Sequence, residues 1–313
     1  MMKKLKVIFM GTPDFAVPCL KKLHEHHDII AVITQPDRRR GRGQKVIYSP
    51  VKEFALQANL NILQPEKIKT MEFENILENM YPDLIVVVAF GQILSKRILD
   101  IPPLGCINVH ASLLPLYRGA APIHWSVING EAKTGVTTMF MDVGLDTGDM
   151  LLKQEICIAD GDNTGRIHDR LMQLGAETLI NTIDMLQTGT FHRIKQDENK
   201  ATYAPLLTKD LEKIRWSVEA SKIHNLIRGL SPWPGCYCIN NESILKVWQS
   251  RVVDETTHRD NPGTVVKFTE KGFVVATKQG LIEIIEVQPA NKRRMMAKDY
   301  INGHGINIGD VLE

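Results

Sequence analysis

Asn108 and His110 stand two residues apart in the stretch Gly105–Trp125, GCINVHASLLPLYRGAAPIHW. Cys106–Val109 has the make-up of a short buried strand, and residues two apart on a strand face the same way. An amide can donate to a developing oxyanion, and an imidazole that titrates near neutrality can give or take a proton. Asp146, in the turn DVGLDTGD at 142–149, offers a carboxylate that can fix the imidazole's tautomer. These three groups suit attack by an amine on an activated acyl or formyl carbon. There the carbonyl oxygen becomes negative and the attacking nitrogen must shed a proton. Taken singly, each has a plainer use: a strand histidine is usually a satisfied core group, and Asn108 could cap a turn.

The chain breaks directly after the pair. Ser112-Leu113-Leu114-Pro115 does not continue a ladder, because proline has no N–H to give. Arg118-Gly119-Ala120-Ala121-Pro122 follows as a small-residue loop, and Pro122 suits the first turn of a helix. Ser112 lacks the G-x-S-x-G surroundings of a serine nucleophile.

The elements that must hold these residues alternate. Strands are predicted at Leu5–Met10, Ile29–Thr34, Asn61–Leu63, Leu84–Ala89 and Cys106–Val109. Helices are predicted over Phe15–Leu23, Pro50–Ala58, Met71–Asn79 and Pro122–Asn129, the second opened by Ser49-Pro50. That alternation predicts an α/β fold with a doubly wound, mostly parallel, Rossmann-like sheet, whose ligands gather at the carboxyl ends of the strands. Thr134–Met141 and Met150–Ile158 read as a hairpin at its edge, and Asp162-Asn163-Thr164 as the cap of a helix to about Leu186. Residues 1–188 are expected to form this domain, with a basic insertion at 35–49, and the polar residues 189–206 a linker. Residues 207–313 hold a helix at Ser217–Arg228 and five short strand candidates, which predict a small, partly open C-terminal β-barrel of OB-like form.

Other chemistries are less well served. Gly11-Thr12-Pro13-Asp14 takes the place of a dinucleotide loop but lacks its glycines, and Asp14 would repel a pyrophosphate. The 142–149 turn has Gly144 where a calcium ligand is wanted and Lys153 at the twelfth position. Cys236 and Cys238 are too close for a zinc pair, and His24–His27 suits a solvated helix end. No metal is expected. Five scattered cysteines argue for a reducing compartment, and no apolar run reaches the ~20 residues of a membrane span. A cytoplasmic protein with no membrane partner is therefore expected, and it is taken as a monomer, though nothing in the sequence sets the oligomeric state. At 24% charged residues and net +2 the chain has no global field for nucleic acid, so any such binding needs local patches. Two exist: Arg38, Arg39, Arg40, Arg42 and Lys45 in the insertion, and Lys292, Arg293 and Arg294 near the end. They suggest a polyanionic partner.

Asn108-Val109-His110-Ala111-Ser112-Leu113-Leu114-Pro115, then Tyr117-Arg118-Gly119-Ala120-Ala121-Pro122, with the aspartate turn at 142–149, resembles the formyltetrahydrofolate-dependent formyltransferases. The likeness extends to FMGTPDF at 9–15 and LSPWPG at 230–235. It implies a formyl group taken from 10-formyltetrahydrofolate. Asn108 and His110 would polarise it, Asp146 would take the amine's proton and orient His110, and Ser112, Leu113, Leu114 and Pro115 would line the folate site. With the basic insertion and the barrel, it implies the α-amine of methionine on aminoacylated initiator tRNA as acceptor. Arg42 would reach the acceptor end, and the barrel would hold the backbone. Arg39 and Arg40 make the insertion more basic than the family pattern. A small amine, such as a sugar nucleotide or a purine precursor, is the alternative acceptor. A non-catalytic RNA-binding protein is the rival from another class, but it has no use for the Asn108–His110 pair.

Overall fold

Val7 to Gly11 are buried without exception, the mark of a strand covered on both faces. The computed structural model describes residues 3–40, 45–256 and 259–313, and the side chains of residues 39, 40 and 45 lie outside that description. Two compact units emerge. The first comprises residues 1–119, 134–156 and 168–204, and the second 120–133, 157–167 and 205–313.

The strands that fall wholly or mainly in the first unit are β1 (Lys6–Gly11), β2 (Asp28–Ile33), β3 (Arg38–Arg40), β4 (Lys45–Ile47), β5 (Ile62–Leu63), β6 (Leu84–Val88), β7 (Cys106–His110), β8 (Arg118–Gly119), β9 (Lys133–Phe140), β10 (Met150–Cys157) and β11 (Tyr203–Ala204). Among the described residues seven of them build a sheet of order β10-β9-β7-β6-β1-β2-β5, while β3 pairs with β4 and β8 with β11. From β7 through β5 the pairs are parallel, while β9 runs antiparallel to β7. Ile8, Met10, Ala31, Ile33, Ile85, Val87 and Cys106 share one apolar cluster with Phe73 and Leu77. Those last two come from α3 (Met71–Glu78), which follows α1 (Val17–His26) and α2 (Pro50–Gln57). Ser49 caps α2 by accepting from the Lys52 amide, and Thr70 caps α3 in the same way. A further short helix, α4 (Lys96–Leu99), precedes β7. Burial pushes the Cys19 and Cys106 thiols up to about 12, so both stay protonated in the core.

The described part of the basic insertion forms an antiparallel ribbon, β3 paired with β4. The polar stretch 189–206, expected as a linker, is bonded into the first unit as far as Ala204. Ile194 bridges Met150, Gln196 is 4% exposed, and β11 pairs with β8. One of its polar side chains, Gln196, is a buried bonding group, which composition alone does not distinguish from its solvated neighbours.

The second unit holds α5 (Pro122–Ile128), the start of α6 (Thr164–Thr188), α7 (Ala220–Gly229), β12 (Cys236–Asn240), β13 (Ser243–Asp254), β14 (Val265–Phe268), β15 (Phe273–Ala276), β16 (Leu281–Pro289), β17 (Met295–Met296) and α8 (Ala297–Asn302). Its antiparallel sheet runs β12-β13-β16-β15-β14, with β17 against β16. The edges do not stay open. Val265 N–H donates to the Asp310 carbonyl, and Ile239 and Glu313 exchange main-chain bonds, so residues 309–313 link β14 to β12. Phe273, Val275, Ile282, Ile284, Ile223 and Ile227 fill the interior, each side chain worth about 1.5–3 kcal/mol when withdrawn from water.

His224 of α7 is buried in this unit, with Nδ1 3.0 Å from Ser250 Oγ. Burial pushes its pKa below the ordinary 6.5, against the opposing pull of Asp160. His27 in the first unit is lowered for the same leading reason. The unfolded chain therefore binds more protons as pH falls below about 6.5. Stability is full above that value and declines beneath it. Thermal midpoints recorded from pH 7.5 down to 5.5 should fall, and His224→Gln should flatten the fall.

Candidate active site

The register of β7 places Asn108 and His110 on one face, with Val109 on the other beside Gly175 of α6. Asn108 is 9% exposed and His110 6%. His110 closes β7 at the carboxyl edge of the parallel strands, the position where open α/β sheets collect their ligands.

The kinked loop beyond it is held by polar atoms of its own and of β9. Thr137 Oγ1 donates to the Ser112 carbonyl at 2.7 Å and accepts from Leu114 N–H at 3.1 Å. Ser112 Oγ donates to the Leu116 carbonyl at 2.6 Å, and Leu114–Pro115 is a cis bond. Tyr117 adopts a left-handed φ of 61°. Its carbonyl lies 2.9 Å from His110 Nε2, and since a carbonyl only accepts, Nε2 carries the proton. Nδ1 is thus the ring nitrogen left facing the carboxylate.

That carboxylate is Asp146, itself at φ 54°. One oxygen accepts from Asn108 Nδ2 at 3.3 Å. The other accepts from Gly119 N–H at 2.8 Å and sits 3.7 Å from His110 Nδ1. Gly119 itself lies at φ 112°, open to glycine and unfavourable to other residues. Asp142 shapes the turn, accepting from Gly144 N–H and Thr147 Oγ1. The structure therefore brings together all three residues expected to carry the reaction. Asn108 keeps a second N–H for a substrate oxygen, and His110 Nδ1 with Asp146 can pass a proton.

The four loop residues expected at the folate site divide. Ser112 and Leu114 are fully buried, the serine in the loop's bonding and the leucine against Met139 and Met150. Leu113 and Pro115 are half-buried. Of the basic residues, Arg38 is exposed on β3, Arg42 lies outside the described residues, and nothing is assigned to the side chains of Arg39, Arg40 and Lys45. The root of the ribbon is tied by Lys52, which donates to Asp37 and Gln64. Lys292 and Arg293 are exposed. Arg294 stacks over Trp248, its Cζ 3.5 Å from the ring centroid, and donates to the Pro232 carbonyl. Among the described residues no three His, Cys, Asp or Glu side chains come together as metal ligands would.

Sequence reasoning missed Gln196, which donates to the carbonyls of Asp146 and Gly148 from 50 and 48 residues away. It also missed that Arg118 is fully buried and bound to Gln196 and Glu198. Nothing in a polar stretch signals such a role. The YRG run at 117–119 marked the place without the partner.

The formyl transferase family model matches residues 3–183, and the model of the formyl transferase C-terminal domain matches 206–305. The methionyl-tRNA formyltransferase of Ruminiclostridium cellulolyticum is 50% identical over 310 residues, covering 98% of this chain and 99% of its own. That of Clostridioides difficile is 50% identical over 309 residues, covering 98% and 100%. Among solved structures, WlaRD, a sugar 3N-formyl transferase in the presence of dTDP and 5-N-formyl-THF, superposes with a TM-score of 0.68 at 23% identity, over 93% of this chain and 100% of its own. HypX from Aquifex aeolicus in complex with tetrahydrofolic acid gives 0.63 at 13%, over 98% and 48%. At those identities the two structures speak for the fold, whereas the two sequence relatives and the family models carry the assignment: the chain belongs to the formyl transferase family, among its methionyl-tRNA formyltransferases.

Proposed function

We propose that this enzyme transfers the formyl group of 10-formyltetrahydrofolate to the α-amine of methionine esterified to initiator tRNA. The observation that carries the reading is the Asn108–Asp146–His110 cluster at the end of β7. The amine nitrogen attacks the formyl carbon, forming a C–N bond. The oxygen becomes an oxyanion, and the free N–H of Asn108 donates to it. The amine's proton is taken by Asp146, with His110 Nδ1 beside it. Collapse then breaks the bond to N10 of the folate, and that proton is handed on to N10 as it leaves. Leu113 and Pro115 offer the donor an apolar wall, while Ser112 and Leu114 hold that wall in shape.

Residues 1–188 carry the catalysis and 207–313 hold the tRNA backbone, with Arg38, Arg39, Arg40, Arg42 and Lys45 gripping the acceptor end. Lys292 and Arg293 bind further phosphates, and Arg294 orders its turn on Trp248. The enzyme acts as a cytoplasmic monomer and needs no metal, because the donor is already activated. Among the described residues no helix is long and apolar enough to cross a membrane.

The test is formyl incorporation from formyl-folate into aminoacylated initiator tRNA. Incorporation supports the reading, and turnover on an amino sugar without turnover on the tRNA overturns it. Arg42→Ala and the pair Lys292→Ala/Arg293→Ala should each raise KM for the tRNA with kcat unchanged. Each should also flatten the salt dependence, by about 0.7–0.9 in log–log slope for every phosphate that is no longer neutralised. An unchanged slope would remove those residues from the interface.

A further inference from the structure

We propose that Gln196 is a positioning residue for formyl transfer, holding the main chain of the Asp146 turn in its working conformation. The inference rests on the reading that Asp146 takes the amine's proton. Gln196 Nε2 donates to the Asp146 carbonyl at 2.7 Å and to the Gly148 carbonyl at 2.8 Å. Its Oε1 accepts from Arg118 Nε at 3.0 Å and Nη2 at 2.9 Å. Only one orientation of the amide satisfies these partners, since guanidinium groups only donate and carbonyls only accept.

Arg118 is 0% exposed and is fixed in turn by a two-pronged pair with Glu198, at 2.9 and 2.8 Å. Its own main chain belongs to β8, which pairs with β11. The next residue, Gly119, supplies the N–H that binds the Asp146 carboxylate. One returning segment, 194–204, therefore braces Asp146 twice: through Gln196 at its carbonyl, and through β11 and β8 at its carboxylate. Asp146 needs such support. A non-glycine residue in the left-handed region persists only where its surroundings determine it, and the turn at 142–149 is otherwise partly exposed. Gln196 touches no substrate in this scheme. Its effect must appear through Asp146.

Two variants separate this role from simple support of the fold. Gln196→Ala removes these four bonds. Gln196→Glu keeps the size and the bonds to Arg118 but turns an oxygen toward two carbonyls. Both should lower kcat on methionyl-tRNA by about 10²-fold, as a misplacement of the order of 1 Å does, with KM for tRNA and folate unchanged. Hydrogen exchange should quicken at the amides of residues 144–148 in both. Should the alanine variant not fold, Gln196→Asn, with the same amide one methylene short, carries the same test. Wild-type kcat in these variants overturns the proposal, as does a loss confined to KM, or a fall in kcat without faster exchange at 144–148. Failure of the unaltered enzyme to formylate the tRNA is a different result and overturns the functional reading instead.

Discussion

Asp146→Asn should lower kcat by roughly 10²–10⁴-fold, the range expected for losing a positioned acid–base group, and leave KM for the tRNA near that of the unaltered enzyme. The substitution changes almost nothing in size. An asparagine oxygen can still accept from Gly119 N–H, which now meets a carboxylate oxygen at 2.8 Å. The amide nitrogen then has to face Asn108 Nδ2, setting donor against donor where an acceptor stood. The charge that draws a proton from the attacking amine is gone, and so is the anion beside His110 Nδ1. His110→Ala should fall in the same range, because it removes the other half of the proton path. The two losses should not add. Groups that act as a unit cost about as much singly as together, so the double variant should sit near the worse single one. Single-turnover formylation with saturating donor reads the chemical step directly. A kcat for Asp146→Asn within tenfold of wild type, or a loss carried wholly by KM, would remove Asp146 from the chemistry.

What the amino-acid order discloses of this site follows from range. Asn108 and His110 are legible because the strand period is two and acts locally, so neighbours in sequence are neighbours on a face. The parallel sheet is legible from length: continuous apolar runs such as Leu84–Val88 are too short for a helix and alternate with helical segments. Asp146 is a step harder, since only its chemistry recommends it from a glycine-rich turn. Gln196 and Glu198 are harder still. They sit in a polar stretch and bond Arg118 across 78 and 80 residues, where no periodicity reports. Polarity there predicts solvent, and the exposure of Glu198 agrees, but Gln196 is buried because every one of its polar atoms has found a partner. The barrel shows the same limit. Its strands are visible one by one, but the link between β12 and β14 is made by main-chain bonds of residues 309–313, which carry no side-chain pattern.

Gly148→Ala should be the most damaging single methyl added near the site. A Cβ at 148 would fall 1.8 Å from the Phe140 carbonyl oxygen. Phe140 ends β9, and its N–H already donates to the Asp149 carbonyl, so the oxygen cannot swing aside without breaking the sheet edge. The constraint here is space, because Gly148 is not in the left-handed region. The turn has to move instead. Gly148 O and Asp146 O are the two carbonyl acceptors of Gln196 Nε2, and a shift of an ångström breaks both bonds and carries the carboxylate away from Asn108 and Gly119. The expected result is a stability loss of about 1–3 kcal/mol, as for an overpacked interior, together with a fall in kcat of about 10²-fold. Gly161→Ala is the control, since a Cβ there meets nothing within 4 Å, and both its denaturation midpoint and its kcat should match wild type. Denaturant midpoints and turnover on methionyl-tRNA decide the matter together. If Gly148→Ala kept its kcat while losing stability, the exact seat of the Asp146 turn would not govern catalysis. If it kept both, the crowding against Phe140 would be relieved by movement that leaves the turn's bonds to Gln196 intact.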